Sequence, residues 1–132
     1  MTFGIDTSVM VRLLVGEPAD LTAKASARLL EAHRLRQSVI VSDLVIGEAY
    51  HALKYHYDIE PAHIRQAMAT MLTSGMVQPE PGSAVMAVLQ DKATGKAGFV
   101  DRLIAARYGA DGRTTLTLDK AQAKKGRSEY IG

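Results

Sequence analysis

Apolar residues along this chain alternate between short continuous runs and stripes at helical spacing, and the switches between the two set the predicted elements. Phe3-Gly4-Ile5 opens the chain as a buried strand, about Thr2 to Asp6, followed by a short helix from about Ser8 to Val15 and a turn at Gly16-Glu17-Pro18. Leu21, Ala25, Leu29, Leu30 and Leu35 recur at near-helical spacing, so a long helix spans Ala19 to about Arg36. Ser38-Val39-Ile40-Val41 is a β-branched run and reads as the second strand. Ser42 suits the N-cap of a helix reaching about Tyr57, and Pro61 the first turn of another, with the stripe Ile64, Ala67, Met68, Met71 and Leu72. Met76-Val77-Gln78 reads as a short strand before Pro79 and Pro81. Helices from about Ser83 to Thr94 and Gly98 to Tyr108 follow, then a strand from Thr114 to Leu118, a short basic helix near Lys120 to Lys125, and a last strand at Tyr130-Ile131.

Strands alternating with helices predict an α/β fold with a largely parallel, sandwiched sheet. In such sheets the functional site lies at the carboxyl ends of the strands. The 132 residues are the size of one domain, expected over 1–132, and large enough to bury a sizeable core. Hydrophobic residues at 47% and charged residues at 23% place the chain among globular proteins and exclude a disordered one. No cysteine is present, which excludes disulfides and thiolate metal sites and fits a reducing compartment, so a cytoplasmic location is expected. The N-terminus mixes apolar residues with Asp6 and Arg12, unlike a signal peptide, and no segment is long and apolar enough for a membrane span.

A net charge of +2 is too small by itself to argue for nucleic-acid binding. From Gly112 onward, however, Arg113, Lys120, Lys124, Lys125 and Arg127 outnumber Asp119 and Glu129, which fits either a phosphate-facing surface or an ordinary solvated one.

The chemistry concentrates on four acids. Asp6 follows the first strand and Asp119 follows Thr115-Leu116-Thr117-Leu118, so both are delivered to carboxyl ends of strands. Glu48 is expected inside an apolar stripe with Leu44, Val45, Ala52 and Tyr55, and Asp101 at the edge of its own stripe beside Ile104 and Ala105. A carboxylate in a low-dielectric setting needs a cation or hydrogen-bond donors, and several together call for a metal. Oxygen-only ligation suits Mg²⁺ or Mn²⁺ and hence phosphoryl chemistry. Ser8 and Thr117 bring hydroxyls near the strand-end acids, where they can orient a carboxylate or a water. Each residue also has a structural reading: helix capping for Asp6, Asp119 and Ser8, ion pairing for Glu48 and Asp101, and β-propensity for Thr117.

Other chemistries fail. His33, His51, His56 and His63 form no HExxH pair and read as surface or helix-packing residues. Gly95-Lys96 resembles the end of a phosphate loop, but Gln90 stands at the first glycine position and Ala97 at the hydroxyl position. Neither a nucleophile elbow nor a dinucleotide fingerprint occurs.

Taken in order, Asp6-Thr7-Ser8-Val9-Met10-Val11-Arg12-Leu13-Leu14, Ser42-Asp43-Leu44-Val45-Ile46-Gly47-Glu48, Phe99-Val100-Asp101-Arg102-Leu103-Ile104-Ala105-Ala106 and Thr115-Leu116-Thr117-Leu118-Asp119 resemble the PIN-domain ribonucleases, above all their VapC-type toxins. The resemblance spans nearly the whole chain. It implies a central parallel sheet with helices on both faces and an acidic pocket of Asp6, Glu48, Asp101 and Asp119 holding Mg²⁺ or Mn²⁺. It further implies an endoribonuclease toxin leaving 5′-phosphate and 3′-hydroxyl ends, a homodimer, and a cognate antitoxin whose C-terminal segment wraps the toxin. Among the departures, Arg102 follows Asp101 where small residues are common, and Gly47 weakens its helix by about 1 kcal/mol against Ala. Lys120-Ala121-Gln122-Ala123 lacks the further acid that some members carry after the last aspartate.

The mechanism expected on this basis is hydrolysis of an RNA phosphodiester by a metal-activated water, with Arg102, Arg113 or Lys120 available to position the strand. The rival readings are an RNA-processing nuclease without an antitoxin, an Asp-nucleophile phosphatase and a catalytically silent binding module. The phosphatase needs a second Asp two residues after the first, where this chain has Ser8.

Overall fold

Three strands are brought into register by residues 1–80: β1 (Thr2–Ile5), β2 (Ser38–Val41) and β3 (Gln78–Pro79), in the order β1-β2-β3 and all parallel. Parallel neighbours need crossovers, and helices supply both. α1 (Thr7–Val15) and α2 (Ala19–Arg34) connect β1 to β2, while α3 (Asp43–Tyr55) and α4 (Pro61–Thr73) connect β2 to β3. The computed structural model describes residues 1–91, 98–124 and 127–132, and these form two compact units, Met1–Glu80 and Pro81–Gly132.

In the first unit α1 packs on α2 and α3, α2 on β2, α3 on α4, and α4 on β3. Met10, Val41, Ile46, Leu53, Ile64, Met68 and Val77 are its largest fully buried side chains. Local signals place the elements. Ser42 Oγ accepts from Val45 N–H at 3.1 Å, the N-cap read from sequence, and Pro61 opens α4. α1 ends at Gly16, whose φ of +79° lets its N–H reach Arg12 O at 2.8 Å, a left-handed cap that any side chain would strain. The third strand lies slightly later than expected and includes Pro79, which a strand at the edge of a sheet tolerates because no ladder N–H is lost there.

The second unit carries α5 (Val85–Gln90), α6 (Phe99–Ala110), β4 (Thr115–Thr117), α7 (Lys120–Ala123) and β5 (Ser128–Tyr130). β4 and β5 pair in parallel, with Thr115 opposite Ser128 and Thr117 opposite Tyr130, and α7 is the crossover between them. α5 packs on α6, α6 on β4, and α7 on both strands. The α/β class and the parallel pairing are therefore as expected; among the described residues the first unit holds the three-stranded set and the second the two-stranded one. The expected end of a helix at Thr94, the Gly95-Lys96 pair and Lys125 lie outside the described residues. No helix among the described residues is long and apolar enough to cross a membrane.

The face of α3 differs from the expected one. Ile46, Ala49, Tyr50 and Leu53 are buried, whereas Leu44 is 74% and Tyr55 66% exposed. Apolar residues lie all round this helix, so its periodicity permits more than one core face, and packing against α1 and α4 selects the set at i, i+3, i+4 and i+7.

Candidate active site

Both units use the same device, a strand that runs into an aspartate which caps a helix. Asp6 follows β1 with extended backbone, and its Oδ1 accepts from Val9 N–H at 3.1 Å and from Ser8 Oγ at 2.6 Å. Asp119 follows β4, and its Oδ1 accepts from Ala121 N–H at 2.8 Å and Gln122 N–H at 3.3 Å. Helix N-termini favour carboxylates because their first N–H groups have no partner within the helix. Capping and a catalytic role are therefore compatible at both positions.

The two hydroxyls act differently. Ser8 donates directly to the Asp6 carboxylate, while Thr117 Oγ1 accepts the backbone N–H of Asp119 at 3.0 Å and so fixes the chain that carries the acid. The Ser8 hydroxyl and then the Val9 N–H hold the Asp6 carboxyl below its usual value. That shift is opposite in sign to the one like-charge crowding produces.

The same shift predicts a test. Ser8→Ala should raise the Asp6 pKa, followed through its side-chain carboxyl resonance. Because the folded value is depressed, this carboxylate stabilises the fold above its unfolded pKa, and that contribution is lost as pH falls through the folded value. The stability gap between wild type and Ser8→Ala should therefore be present at neutral pH and shrink towards pH ~2, remaining small because Asp6 is exposed.

Glu48 is exposed, which corrects the expectation that it is buried. It shares the outward row of α3 with Leu44, His51 and Tyr55, where the His51 and Tyr55 rings meet edge to face with centroids 5.9 Å apart. Asp101 is also exposed, in the first turn of α6, with Oδ2 lying over Gly98. Asp6 and Asp119 are exposed as well, so water and helix N–H groups meet much of the solvation need that was assigned to a metal. All four histidines are exposed, as expected of surface residues.

Sequence reasoning missed two features. Register places Ile5 beside Val41 and Val41 beside Pro79, so the residues that follow, Asp6, Ser42 and Glu80, line up at the carboxyl edge of the first sheet, with half-buried Asp43 next to Ser42. The signal was each strand's next residue, legible only once the strand ends are known. In the second unit Gln122 is buried, and its Nε2 donates to the Asp101 carbonyl at 2.6 Å while its own N–H bonds Asp119. One glutamine thus ties the turn carrying Asp101 to the helix capped by Asp119. No local pattern marks it, since glutamine in a short basic helix ordinarily reads as surface.

Asp6 and Glu48 belong to the first unit, Asp101 and Asp119 to the second. Among the described residues no group of three or more His, Asp or Glu side chains is close enough to hold a metal ion. The donors themselves are exposed carboxylate oxygens, and Asp6 is held in its ionised form, a chemistry that fits a hard divalent cation such as Mg²⁺ or Mn²⁺. Compared with known protein families, the chain matches the PIN domain over residues 4–128, a span that includes all four acids. No curated protein matches it.

Proposed function

The chain belongs to the PIN-domain family, whose members are generally nucleases and typically use divalent metal ions, and from that premise we propose that it is a metal-dependent endoribonuclease acting as the toxin of a toxin–antitoxin pair. The observation that carries the reading is the family match over residues 4–128, which takes in Asp6, Glu48, Asp101 and Asp119 in the order the resemblance requires.

In this reading the four carboxylates together hold Mg²⁺ or Mn²⁺, which supplies an activated water and charge neutralisation at the phosphate. The chain's own groups do the positioning. Ser8 keeps the Asp6 carboxylate ionised and oriented through its hydrogen bond, Thr117 fixes the backbone at Asp119, and Gln122 holds α6 against α7. Lys120 is an exposed cation on the second unit available to the RNA backbone, and Arg113 is exposed but paired with Asp111 at 2.8 Å, whereas Arg102 is buried.

A homodimer and an antitoxin are the proposed partners. The α1 residues Val9, Met10, Val11, Leu13 and Leu14 are buried or half-buried, which makes α1 a core helix, but Leu21, Leu30 and Leu35 in and just after α2 stand 47%, 61% and 51% exposed. Leu21 and Leu30 lie on opposite sides of α2, about 180° apart, so they make no single apolar patch, and the proposed partners rest on the family resemblance. A gene immediately upstream encoding a small DNA-binding protein would supply the candidate antitoxin.

Purified protein should cleave RNA in Mg²⁺ or Mn²⁺ and stop doing so when a chelator removes the metal. Products should carry 5′-phosphate and 3′-hydroxyl ends. Cleavage that persists in chelator removes the metal-dependent reading. Cleavage without growth arrest on expression in bacteria would instead favour an RNA-processing nuclease.

A further inference from the structure

Four exposed residues of α3 share one side of the helix. At about 100° per residue, Leu44, Glu48, His51 and Tyr55 fall within about 60° of one another, opposite the buried Ile46, Ala49 and Leu53. Leu44 is the aliphatic member of this row, and beyond Glu48 the row turns aromatic. The His51 ring is held between two tyrosines, its centroid 6.0 Å from that of buried Tyr50 and 5.9 Å from that of Tyr55, which it meets edge to face. Tyr55 nevertheless keeps 66% of its surface open to solvent. Lys54 Nζ lies 5.1 Å from the centre of the Tyr55 ring, and among the described residues it pairs with no carboxylate.

An open ring backed by a second ring, with an unpaired cation beside it, is the combination that holds single-stranded nucleic acid: bases stack on aromatic side chains while cations follow the phosphates. The core of a protein interface disfavours both lysine and glutamate, and this face carries one of each around its rings. We infer that the outward face of α3 is a base-stacking surface for single-stranded RNA, with Tyr55 carrying a base, His51 backing it and Lys54 on a neighbouring phosphate. From Glu48 to Tyr55 the helix advances roughly 10 Å, which lies within the run of about 4 nucleotides or more that a single-strand site covers. The inference rests on the nuclease reading above and adds the path of the substrate, which leaves the acidic site along α3 towards its C-terminus.

The test uses the full chain in chelator, so that no metal-dependent cleavage occurs. The probes are a short RNA of alternating uridine and 2-aminopurine, whose fluorescence reports stacking, and a ribose-phosphate strand of the same length without bases. Wild type should change the 2-aminopurine fluorescence on binding and should hold the base-free strand about tenfold more weakly. Tyr55→Ala, at a position exposed enough to spare the fold, should lose the fluorescence change and weaken RNA binding by about tenfold, whereas Tyr55→Phe keeps both. Lys54→Gln should lessen the salt dependence of binding and leave the fluorescence change in place. Equal RNA binding by wild type and folded Tyr55→Ala, in a protein that cleaves RNA once Mn²⁺ is restored, overturns the stacking surface and leaves the nuclease reading standing. Wild type that neither binds nor cleaves RNA overturns both. A wild-type dimer that Tyr55→Ala converts to a monomer makes this face an interface between copies of the chain and likewise overturns the inference.

Discussion

Asp6→Asn should lower RNA cleavage by about a thousandfold, the equivalent of roughly 4 kcal/mol in the barrier, with little loss of stability. Asp6 has two duties that this substitution separates. As a cap, its Oδ1 accepts from Val9 N–H and Ser8 Oγ, and an Asn oxygen does the same at a position where Asn and Asp are about equally good. As a metal ligand it contributes a charge, which Asn lacks. Asp6→Ala removes both and should cost a further ~1 kcal/mol of stability. The measurements are cleavage rate in Mn²⁺, denaturant midpoint, and growth on expression in bacteria. Growth arrest that survives Asp6→Asn in a folded protein means that toxicity arises somewhere other than the acidic site.

The second large effect separates the two faces of α3. Ile46→Ala should destabilise the protein by about 2–5 kcal/mol, because Ile46 is fully buried and the vacated volume is filled only in part. Leu44→Ala, on the same helix two residues earlier and 74% exposed, should change stability by less than about 0.5 kcal/mol. Against a typical domain stability of about 5–15 kcal/mol, the first loss is a large share of the whole and the second is not. Chemical denaturation of the two variants reads it directly. Comparable losses would put Leu44 in the core and return Glu48 to the buried face expected from the hydrophobic stripe.

What sequence by itself determined was local. The strands at Phe3-Gly4-Ile5 and Ser38-Val39-Ile40-Val41, the cap at Ser42, the helix start at Pro61 and the two aspartates at strand ends depend on residues within one turn or one strand of each other. Alternation of such segments was enough to specify parallel pairing, since strands joined through helices run the same way. Tertiary structure decided the rest. The direction α3 turns its faces follows from α1 and α4, so Glu48 is exposed although its neighbours in sequence read as core. Arg102 is buried beside Asp91, and Gln122 holds the Asp101 carbonyl from 21 residues away. The pairing of β4 with β5 is likewise absent from any single window of the chain. A polar side chain in a short helix carries no local mark of burial; its environment is set by elements distant in sequence, and periodicity reports only what a helix could bury, while its neighbours determine which side it does.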